Sequence, residues 1–336
     1  KGVNFPNTVR NIEVITKKDE ADSAWGVKNR VDYFAISFVQ SAKDMRRARE
    51  LLGDYKGKLI AKIEKFDAVS NIDEIIETSD GIMVARGDLG IEVPYYDVPT
   101  IQKMLIRKSN AKGIPVITAT QMLLSMTQNE RATRAEISDV ANAVLDGTDI
   151  VMLSEESAVG ENPVNVVETM HNIIKQTEKI FDHEKRYKFT YLDEFDVIQA
   201  TVTKLADDLS ADGILSLTSS GNSARKMSRY RPITPLYTFA HDKETLTGLT
   251  ALWGVEPITT VKEAQASKMI QRMLRSLEKR EILNKKGLYI CTVGYPVGIP
   301  GSTNTIKILT PSEIEFYLNF KENREKIKTE KKVNLA

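Results

Sequence analysis

Residues 81–90 read GIMVARGDLG, a short apolar run that ends in an arginine, a glycine and an aspartate. Four other apolar runs occur between residues 33 and 153, and segments with helical spacing separate them. These runs are YFAISF at 33–38, LIAKI at 59–63, PVIT at 115–118 and IVML at 150–153. The runs start about 22 to 36 residues apart, the spacing that successive βα units produce. The sequence therefore predicts five parallel strands that alternate with helices, including helices over Ala42–Leu52 and Arg134–Leu145.

The five runs are continuously apolar, which is typical of parallel strands that are covered on both faces. An open doubly wound sheet and part of a (β/α)8 barrel both fit this pattern. Ionisable or hydroxyl residues follow the C-terminal end of each run, as in barrel enzymes, and this favours the barrel. Because a complete barrel has eight such units over ~250 residues, the sequence predicts the last five units, with three more expected upstream of Lys1.

After a charged linker at 182–188, a second αβ series follows. Its predicted elements are a helix near Val197–Leu209, a strand at Gly213–Leu217, a loop at Thr218–Ser223, a helix from Ala224, and strands at Pro235–Phe239 and Gly287–Thr292. We therefore expect an α/β protein in three parts. They are the C-terminal part of a catalytic (β/α)8 TIM barrel over 1–183, a separate α/β domain over 184–310 and a charged C-terminal tail over 311–336.

Charge and cysteine content exclude several classes of function. The 336 residues hold 47 Lys and Arg against 46 Asp and Glu, so no global field favours nucleic acid or an anionic membrane as a partner. No stretch approaches the ~20 apolar residues of a membrane span. Cys291 is the only cysteine, so no intrachain disulfide can form and we expect a reducing, cytoplasmic compartment. The histidines, His171, His183 and His241, lack metal-ligand spacing.

Lys62 and Glu64 lie two residues apart in the otherwise apolar run LIAKIE. The period of two in a β-strand places both side chains on the same face. Charged groups in a buried strand are costly unless they are paired or bind a ligand. Two explanations are therefore open: a structural ion pair, or a catalytic pair at the rim of a barrel.

Asp88 follows another run, within ARGDLG. The glycines there allow positive φ angles and close backbone approach, and amides in such a turn can bind an anion while Asp88 faces a cation. An ordinary Gly-Asp turn is the alternative. Because Glu64 is expected on the neighbouring strand, the two carboxylates together suit Mg²⁺, which takes one or two carboxylates plus water and substrate oxygens.

Hydroxyl and carboxyl groups also follow the last two runs. Thr120 can hydrogen-bond a carboxylate or relay a proton, or it can cap a helix. Ser154, Glu155 and Glu156 can likewise belong to a site or cap the helix that follows. None of these residues is specific alone. Their repetition at one end of successive strands indicates an active site.

Six strings, in this order, resemble the bacterial type of the pyruvate kinase family, from Lys1 to about Ile308. They are KGVNFP at 1–6, AKIE at 61–64, GIMVARGDLGIE at 81–92, PVITATQM at 115–122, TRAEISDVANAVLDG at 133–147 and VMLSEESAVG at 151–160. The resemblance implies a glycolytic phosphotransferase that converts phosphoenolpyruvate and ADP to pyruvate and ATP, with Mg²⁺ or Mn²⁺ and K⁺ as cofactors. It also implies a homotetramer, with the helix at 134–145 in a subunit contact.

The same resemblance assigns roles to individual residues. Lys62 would stabilise the phosphoryl group in flight, and Glu64 and Asp88 would hold the divalent metal. Ser154 and Glu156 would belong to the polar network that helps protonate the enolate. The substrate carboxylate would be bound by Ala85, Gly87, Asp88 and Thr120.

The sequence departs from the family in two ways. The family commonly has Ser-Gly-Glu-Thr-Ala-Lys-Gly after the last strand, whereas residues 154–160 read SEESAVG, so Glu155 adds a negative charge there. Arg131-Ala132 stands where the family has Arg-Pro.

The family's first three strands carry the arginine that binds phosphoenolpyruvate and most K⁺ ligands, and the lid domain is inserted after the third of them. None of these is in the sequence, so we expect the chain alone to be inactive if those strands are truly absent.

The second αβ series resembles the family's regulatory C-terminal domain. The loop Thr218–Ser223 follows a strand and opens a helix, which makes it a phosphate cradle, and the loop at 294–303 resembles the effector loop. Two ordinary polar turns are the alternative. Because the first loop holds no basic side chain, a strongly anionic bisphosphate would rely on backbone amides and on other residues. The expected effector residues are Thr218, Ser219, Ser220, Gly221, Asn222, Ser223, Gly301, Ser302 and Thr303.

Two other functions are compatible with the pattern. A Mg²⁺-dependent lyase or mutase acting on pyruvate-like acids can also place carboxylates at barrel strand ends, although Lys62 and the second domain argue against it. A non-enzymatic effector-binding or interaction module is the other alternative.

Overall fold

The strands and helices expected for residues 33–153 are present in the computed structural model, which describes residues 14–183, 188–263, 265–294 and 303–319. The chain divides between Asp182 and His183 into two units, and each contains its own five-stranded sheet. This confirms the predicted α/β class. Within the described residues, no helix is both long enough and apolar enough to cross a membrane.

The first unit alternates strands with helices. Its strands are β1 (Tyr33–Ile36), β2 (Lys58–Ile63), β3 (Gly81–Ala85), β4 (Val116–Ala119) and β5 (Ile150–Met152). Its helices are α1 (Lys17–Lys28), α2 (Ala42–Leu52), α3 (Phe66–Ser70), α4 (Ile72–Thr78), α5 (Arg86–Glu92), α6 (Val98–Lys112), α7 (Arg134–Asp146), α8 (Glu155–Ala158) and α9 (Pro163–Thr177). Short 3-10 turns occupy Tyr95–Asp97, Leu124–Thr127 and Glu178–Ile180.

All five strands of the first unit are parallel and lie side by side in chain order, β1-β2-β3-β4-β5. One face of the sheet, with Leu59, Ile82 and Val116, packs with apolar residues of α2, α4 and α6. The other face has a separate apolar cluster. Its buried members are Ile60, Met83, Ile117 and Ala119. Because both faces are apolar, the strands read as continuous apolar runs in the sequence.

Local signals set the ends of the longer helices of this unit. Thr133 accepts a hydrogen bond from the Glu136 amide, and the Glu136 carboxylate accepts one from the Thr133 amide, so a capping box begins α7. Helices α6 and α7 end at Gly113 and Gly147, whose φ angles are 73° and 94°. Glycine adopts this left-handed conformation without the steric cost that a Cβ atom brings.

The second unit has a mixed sheet with the order β10-β9-β6-β7-β8, in which only β10 is antiparallel to its neighbour. The strands are β6 (Gly213–Thr218), β7 (Leu236–Ala240), β8 (Val255–Thr260), β9 (Tyr289–Gly294) and β10 (Thr303–Leu309). The helices are α10 (Glu194–Asp208), α11 (Asn222–Ser228), α12 (Lys243–Thr247), α13 (Ala266–Lys279) and α14 (Pro311–Leu318).

Three elements of the second unit differ from the prediction. Strands β8 and β10 were not predicted, because polar residues interrupt their apolar pattern; both are edge strands, where such residues and Pro257 are tolerated. Helix α14 occupies the first part of the predicted tail. Its Ile314 and Leu318 are buried with α13, so residues 311–318 belong to the packed core. Residues 320–336 lie outside the described part of the chain.

Candidate active site

The parallel strands of the first unit end at one edge of their sheet, and the side chains predicted to carry chemistry lie at or just after those ends. Lys62 lies in β2, and the others follow in order: Glu64 after β2, Asp88 after β3, Thr120 after β4, and Ser154 with Glu156 after β5. The C-terminal edge of a parallel sheet is where α/β proteins place their ligands. The residues are therefore distributed along one rim.

Lys62 and Glu64 share a face of the sheet, as the period of two predicted. The Lys62 Nζ atom lies 2.8 Å from Glu64 Oε1 and donates a hydrogen bond of 2.9 Å to the Ser37 hydroxyl. The Glu64 side chain is 1% exposed and the Lys62 side chain is 25% exposed. The structural ion pair that the sequence left open is therefore present, and its lysine side chain is partly exposed.

The buried Glu64 carboxylate is also held from the end of β1. The Phe38 amide donates a hydrogen bond of 2.7 Å to Glu64 Oε2, so one carboxylate oxygen accepts a hydrogen bond while the other faces the Lys62 ammonium. A buried carboxylate needs such donors because removal from water is otherwise costly. Phe38 has a φ of 56°, which is uncommon for a residue other than glycine.

Asp88 lies in the first turn of α5, directly after β3. The sequence analysis expected a turn here, in which the glycines would allow positive φ angles; in the structure residues 86–92 are helical, and neither Gly87 nor Gly90 has a positive φ. The Asp88 side chain is half-buried. Among the described residues, none donates a hydrogen bond to its carboxylate.

The left-handed backbone conformation occurs instead at the end of β4. Thr120 and Gln121 have φ angles of 70° and 55°. The Thr120 hydroxyl accepts a hydrogen bond of 2.8 Å from the Gly87 amide and donates one of 2.6 Å to the Ala119 carbonyl. No helix starts at Thr120, so the alternative of a helix cap is wrong.

Arg86 fixes the same turn, and the sequence analysis did not identify it. Its Nη2 atom donates to the Thr120 carbonyl at 2.7 Å, and its Nη1 atom lies 2.6 Å from Asp139 of α7. The side chain is 10% exposed. Arg86 therefore links the ends of β3 and β4 to α7. Only one feature of the sequence indicated this role, the position of Arg86 at the end of a strand. Other residues at strand ends in the described part of the chain make no such contact, so the position alone could not identify it.

Glu156 is 1% exposed and accepts hydrogen bonds from two backbone amides. Its Oε2 atom accepts from Ser154 N at 2.7 Å, and its Oε1 atom accepts from Leu123 N at 3.2 Å. The contacts join the turn after β5 to the turn after β4. Ser154 precedes α8, but its side chain makes no capping hydrogen bond. Glu155 points to solvent and is exposed.

Glu64 and Asp88 have the donor chemistry of a Mg²⁺ site. Within the described residues, no group of three or more His, Cys, Asp or Glu side chains could hold a metal ion. Mg²⁺ is commonly held by one or two carboxylates together with waters and substrate oxygens. Glu64 retains a lone pair on each oxygen beyond the two donors named above, and Asp88 has no donor within the described residues. The two carboxylates therefore fit Mg²⁺ or Mn²⁺.

The predicted loop Thr218–Ser223 of the second unit spans the junction of β6 and α11: Thr218 ends β6, and Asn222 and Ser223 begin α11. The Gly221 amide donates to the Thr218 hydroxyl at 3.0 Å, and Gly221 has a φ of 82°. Arg225 Nη2 lies 3.5 Å from the Ser220 carbonyl, so a basic side chain that the sequence analysis did not consider reaches this loop. Of the other expected effector residues, Gly301 and Ser302 lie outside the described residues, and Thr303 begins β10.

Comparison with known proteins identifies relatives of this chain. Residues 1–167 match the family described as pyruvate kinase, barrel domain, and residues 196–309 match pyruvate kinase, alpha/beta domain. The pyruvate kinase of Geobacillus stearothermophilus is 42% identical over 321 residues, which cover 94% of this chain and 55% of the relative.

Two further pyruvate kinases show the same degree of similarity. That of Lactobacillus delbrueckii subsp. bulgaricus is 41% identical over 92% of this chain and 54% of its own. That of Clostridium acetobutylicum is 40% identical over 92% of this chain and 67% of its own. The chain thus spans about half the length of the first two relatives and about two thirds of the third.

Proposed function

The chain belongs to the pyruvate kinase family, and we propose that the protein transfers the phosphoryl group of phosphoenolpyruvate to ADP, giving pyruvate and ATP in glycolysis. The observation that carries this proposal is the contact of 2.8 Å between Lys62 and Glu64 at the end of β2. Phosphoryl transfer is catalysed mainly by fixed charges that neutralise the moving group, and this pair provides a cation beside a metal-binding carboxylate.

The arrangement of β1 to β5 supports part of a (β/α)8 barrel. A doubly wound sheet reverses its strand order at a switch point and carries helices on both faces. Here the strands follow chain order without reversal, and α2, α4 and α6 pack on one face only. The apolar cluster on the other face, with Ile60 and Met83, corresponds to the filled interior of a barrel.

Each residue at the rim has a proposed role. The Lys62 ammonium stabilises the phosphoryl group during transfer. The backbone of Ala85, Gly87 and Asp88 and the hydroxyl of Thr120 bind the substrate carboxylate, a role supported by their common position at the C-terminal ends of β3 and β4. Mg²⁺ or Mn²⁺ held by Glu64 and Asp88 would neutralise charge on the substrate oxygens.

Ser154 and Glu156 are proposed to act on the enolate that remains after transfer. Glu156 is held by two amides and accepts from Ser154 N at 2.7 Å. This contact orients Ser154, whose hydroxyl is not used in helix capping. The Ser154 hydroxyl is therefore available to pass a proton toward the enolate carbon through the polar network at this rim.

The remaining properties follow from the family and are supported to different degrees. A homotetramer with α7 in a subunit contact is supported by Ile137 and Leu145, which are apolar and exposed on that helix. K⁺ dependence and a cytoplasmic location rest on the family alone. Binding of a phosphorylated effector at Thr218–Ser223 is supported by the proximity of the Arg225 guanidinium to Ser220.

A coupled assay of the complete gene product tests the proposal. Formation of pyruvate and ATP from phosphoenolpyruvate and ADP, dependent on Mg²⁺, is the expected result. Enolate exchange without ATP formation would favour a lyase. A protein that binds a phosphorylated metabolite but catalyses neither reaction would favour a non-enzymatic effector-binding module.

A further inference from the structure

The turn after β1, formed by Ser37 and Phe38, contacts both charged residues of β2. The Ser37 hydroxyl accepts from Lys62 Nζ at 2.9 Å, and the Phe38 amide donates to Glu64 Oε2 at 2.7 Å. We infer that Ser37 and Phe38 are positioning residues that fix the Lys62 ammonium and the Glu64 carboxylate for the reaction. The inference rests on the proposed phosphoryl transfer.

Ser37 acts on the direction of the Lys62 ammonium. An ammonium has three N–H donors and a flexible four-carbon stem. The Lys62 Nζ atom donates to the Ser37 hydroxyl and lies in ion-pair contact with Glu64 Oε1. Among the described residues, Ser37 is the hydrogen-bond acceptor of this ammonium, so it sets the direction of one N–H and thereby the orientation of the group. Ser37 therefore converts a mobile charge into a donor with a fixed direction at the rim.

Phe38 acts on the orientation of the Glu64 carboxylate. Lys62 engages Oε1 and the Phe38 amide engages Oε2, so the two oxygens are held from opposite neighbours and the plane of the group is fixed. A carboxylate offers about four lone-pair directions. The directions that remain are thereby fixed for a cation, which matters because Mg²⁺ requires near-octahedral geometry.

The backbone of Phe38 adopts an unfavourable conformation in this arrangement. Its φ of 56° lies in the left-handed region, which is unfavourable for a bulky residue. Burial of the ring does not explain the conformation, since the residue is 46% exposed. Lys65 Nζ is 6.0 Å from the ring centroid, at the outer limit of a cation–π contact. The contact with Glu64 is thus the interaction that requires this conformation.

Similar conformations recur at the same rim. In the described part of the first unit, the non-glycine residues with positive φ are Arg30, Phe38, Thr120 and Gln121. Three of these follow strands that end at the candidate site. Backbone strain of this kind persists where the surrounding contacts maintain it, and it concentrates at functional sites.

Ser37 is tested in the complete gene product with two variants. Ser37→Ala removes the acceptor for Lys62, and we expect kcat to fall about 10- to 100-fold, the effect of one hydrogen bond to a charged group. The KM for phosphoenolpyruvate should change by less than about twofold, because the bond acts in the transition state. Ser37→Thr keeps the hydroxyl and should recover kcat.

Two results would overturn the role of Ser37. One is a kcat of Ser37→Ala equal to that of the wild type. The other is a loss that Ser37→Thr does not recover and that parallels a fall in the thermal midpoint, which would show a merely structural residue.

Phe38 is tested with a pair that separates backbone conformation from side-chain chemistry. Phe38→Gly adopts positive φ freely, whereas Phe38→Val, although apolar like Phe, is β-branched and strongly disfavours it. We expect Phe38→Gly to bind Mn²⁺ like the wild type and to have an equal or higher thermal midpoint. Phe38→Val should bind Mn²⁺ at least about fivefold more weakly, because loss of an outer contact commonly costs more than this.

Equal Mn²⁺ affinities for the Gly and Val variants would refute the role of Phe38. The Mn²⁺ titration needs no turnover, so it distinguishes the two proposals. A wild-type protein that binds Mn²⁺ but forms no ATP would contradict the proposed function, while the comparison of Phe38→Gly with Phe38→Val would still decide the positioning role.

Discussion

The amide of Gly87, at the start of α5, donates a hydrogen bond of 2.8 Å to the hydroxyl of Thr120, which follows the neighbouring strand β4. Arg86 reinforces the contact by donating to the Thr120 carbonyl at 2.7 Å. The two strand ends are therefore joined by reciprocal bonds between side chain and backbone. This contact holds Thr120 in its left-handed conformation at the proposed site of the substrate carboxylate.

Thr120→Val removes the hydroxyl and keeps the shape and the branched Cβ atom. The Gly87 amide loses its acceptor, so we expect the KM for phosphoenolpyruvate to rise about tenfold, the effect of about 1.4 kcal/mol from one hydrogen bond. Thr120→Ser keeps the hydroxyl and serves as the control, with KM close to the wild-type value. Steady-state kinetics of both variants measure the KM for phosphoenolpyruvate. An unchanged KM in Thr120→Val would contradict a role of the Thr120 hydroxyl in substrate binding.

Lys62→Met should separate catalysis from stability when it is combined with a second change. Alone, it should lower kcat by about 10²- to 10³-fold, as loss of one charge-stabilising donor does. It also leaves the buried Glu64 with one donor. The expected loss of unfolding free energy is on the order of 2 kcal/mol, below the range for fully buried pairs because Lys62 is 25% exposed.

The double variant Lys62→Met/Glu64→Gln neutralises the buried charge. Its thermal midpoint should recover most of the loss while kcat stays low. Recovery of kcat together with stability would mean that Lys62 is only a structural partner of Glu64.

Asp88→Asn should weaken binding of the divalent metal. Loss of an outer partner of a metal ligand already costs about 10- to 100-fold in affinity, so loss of a ligand should cost about 100-fold or more. Asp97→Asn is the matched control. Asp97 lies nine residues further along the chain and is exposed, and its substitution removes the same charge. Titration with Mn²⁺ measures both variants, and equal affinities would remove Asp88 from the ligand set.

Asp80 should make the stability of the first unit depend on acid pH. Burial raises the pKa of its carboxyl group. The ion pair with Arg49 and the hydrogen bond from the Leu59 amide together lower the pKa by more than burial raises it, so the net pKa lies below the ordinary value. A lowered folded-state pKa means that the ionised group stabilises the fold above the unfolded pKa. The contribution is lost as the pH falls through the folded pKa.

We therefore expect Asp80→Asn to be less stable than the wild type by about 1 kcal/mol at pH 7, with the difference shrinking below a pH of about 4. Urea unfolding at both pH values measures it. Asp73→Asn is the control: its partner is Lys108 and its side chain is 78% exposed, so little change is expected at either pH. A constant deficit of Asp80→Asn across the range would contradict the assignment.

Two buried hydroxyls in the second sheet should be dispensable for stability. Ser216 of β6 and Thr292 of β9 are register partners, and both hydroxyls are fully buried and have no hydrogen-bond partner among the residues that the structure describes. Thr292→Val should therefore be neutral or stabilising, because it removes an uncompensated polar group. Thr218→Val is the control. It removes the acceptor of the Gly221 amide and should cost about 1 kcal/mol. Thermal unfolding compares Thr292→Val with Thr218→Val. An equal loss of stability in both variants would contradict the prediction that the Thr292 hydroxyl is dispensable.

Part of the fold could be predicted because its signals are local. The strands of the first unit are short, apolar on both faces of the sheet and separated by helices, so apolar runs mark them directly. The predicted helix Ala42–Leu52 coincides with α2. Strands β8 and β10 were not predicted because they are edge strands in which polar residues such as Glu256 and Asn304 interrupt the apolar pattern. The helical conformation of residues 86–92 was not predicted, because the two glycines in this segment indicated a turn.

The sequence by itself determined the family, the α/β class and the set of polar residues at the strand ends, including Lys62, Glu64, Asp88 and Thr120. These features depend on residue identity and on spacing along one strand, which the chain carries directly. Only the tertiary structure decided that Ser37 and Phe38 engage Lys62 and Glu64 across neighbouring strands, and that Arg86 and Gly87 engage Thr120. Those contacts join residues about 25 to 35 positions apart, and their geometry depends on strand register and on positive φ angles that no local pattern specifies.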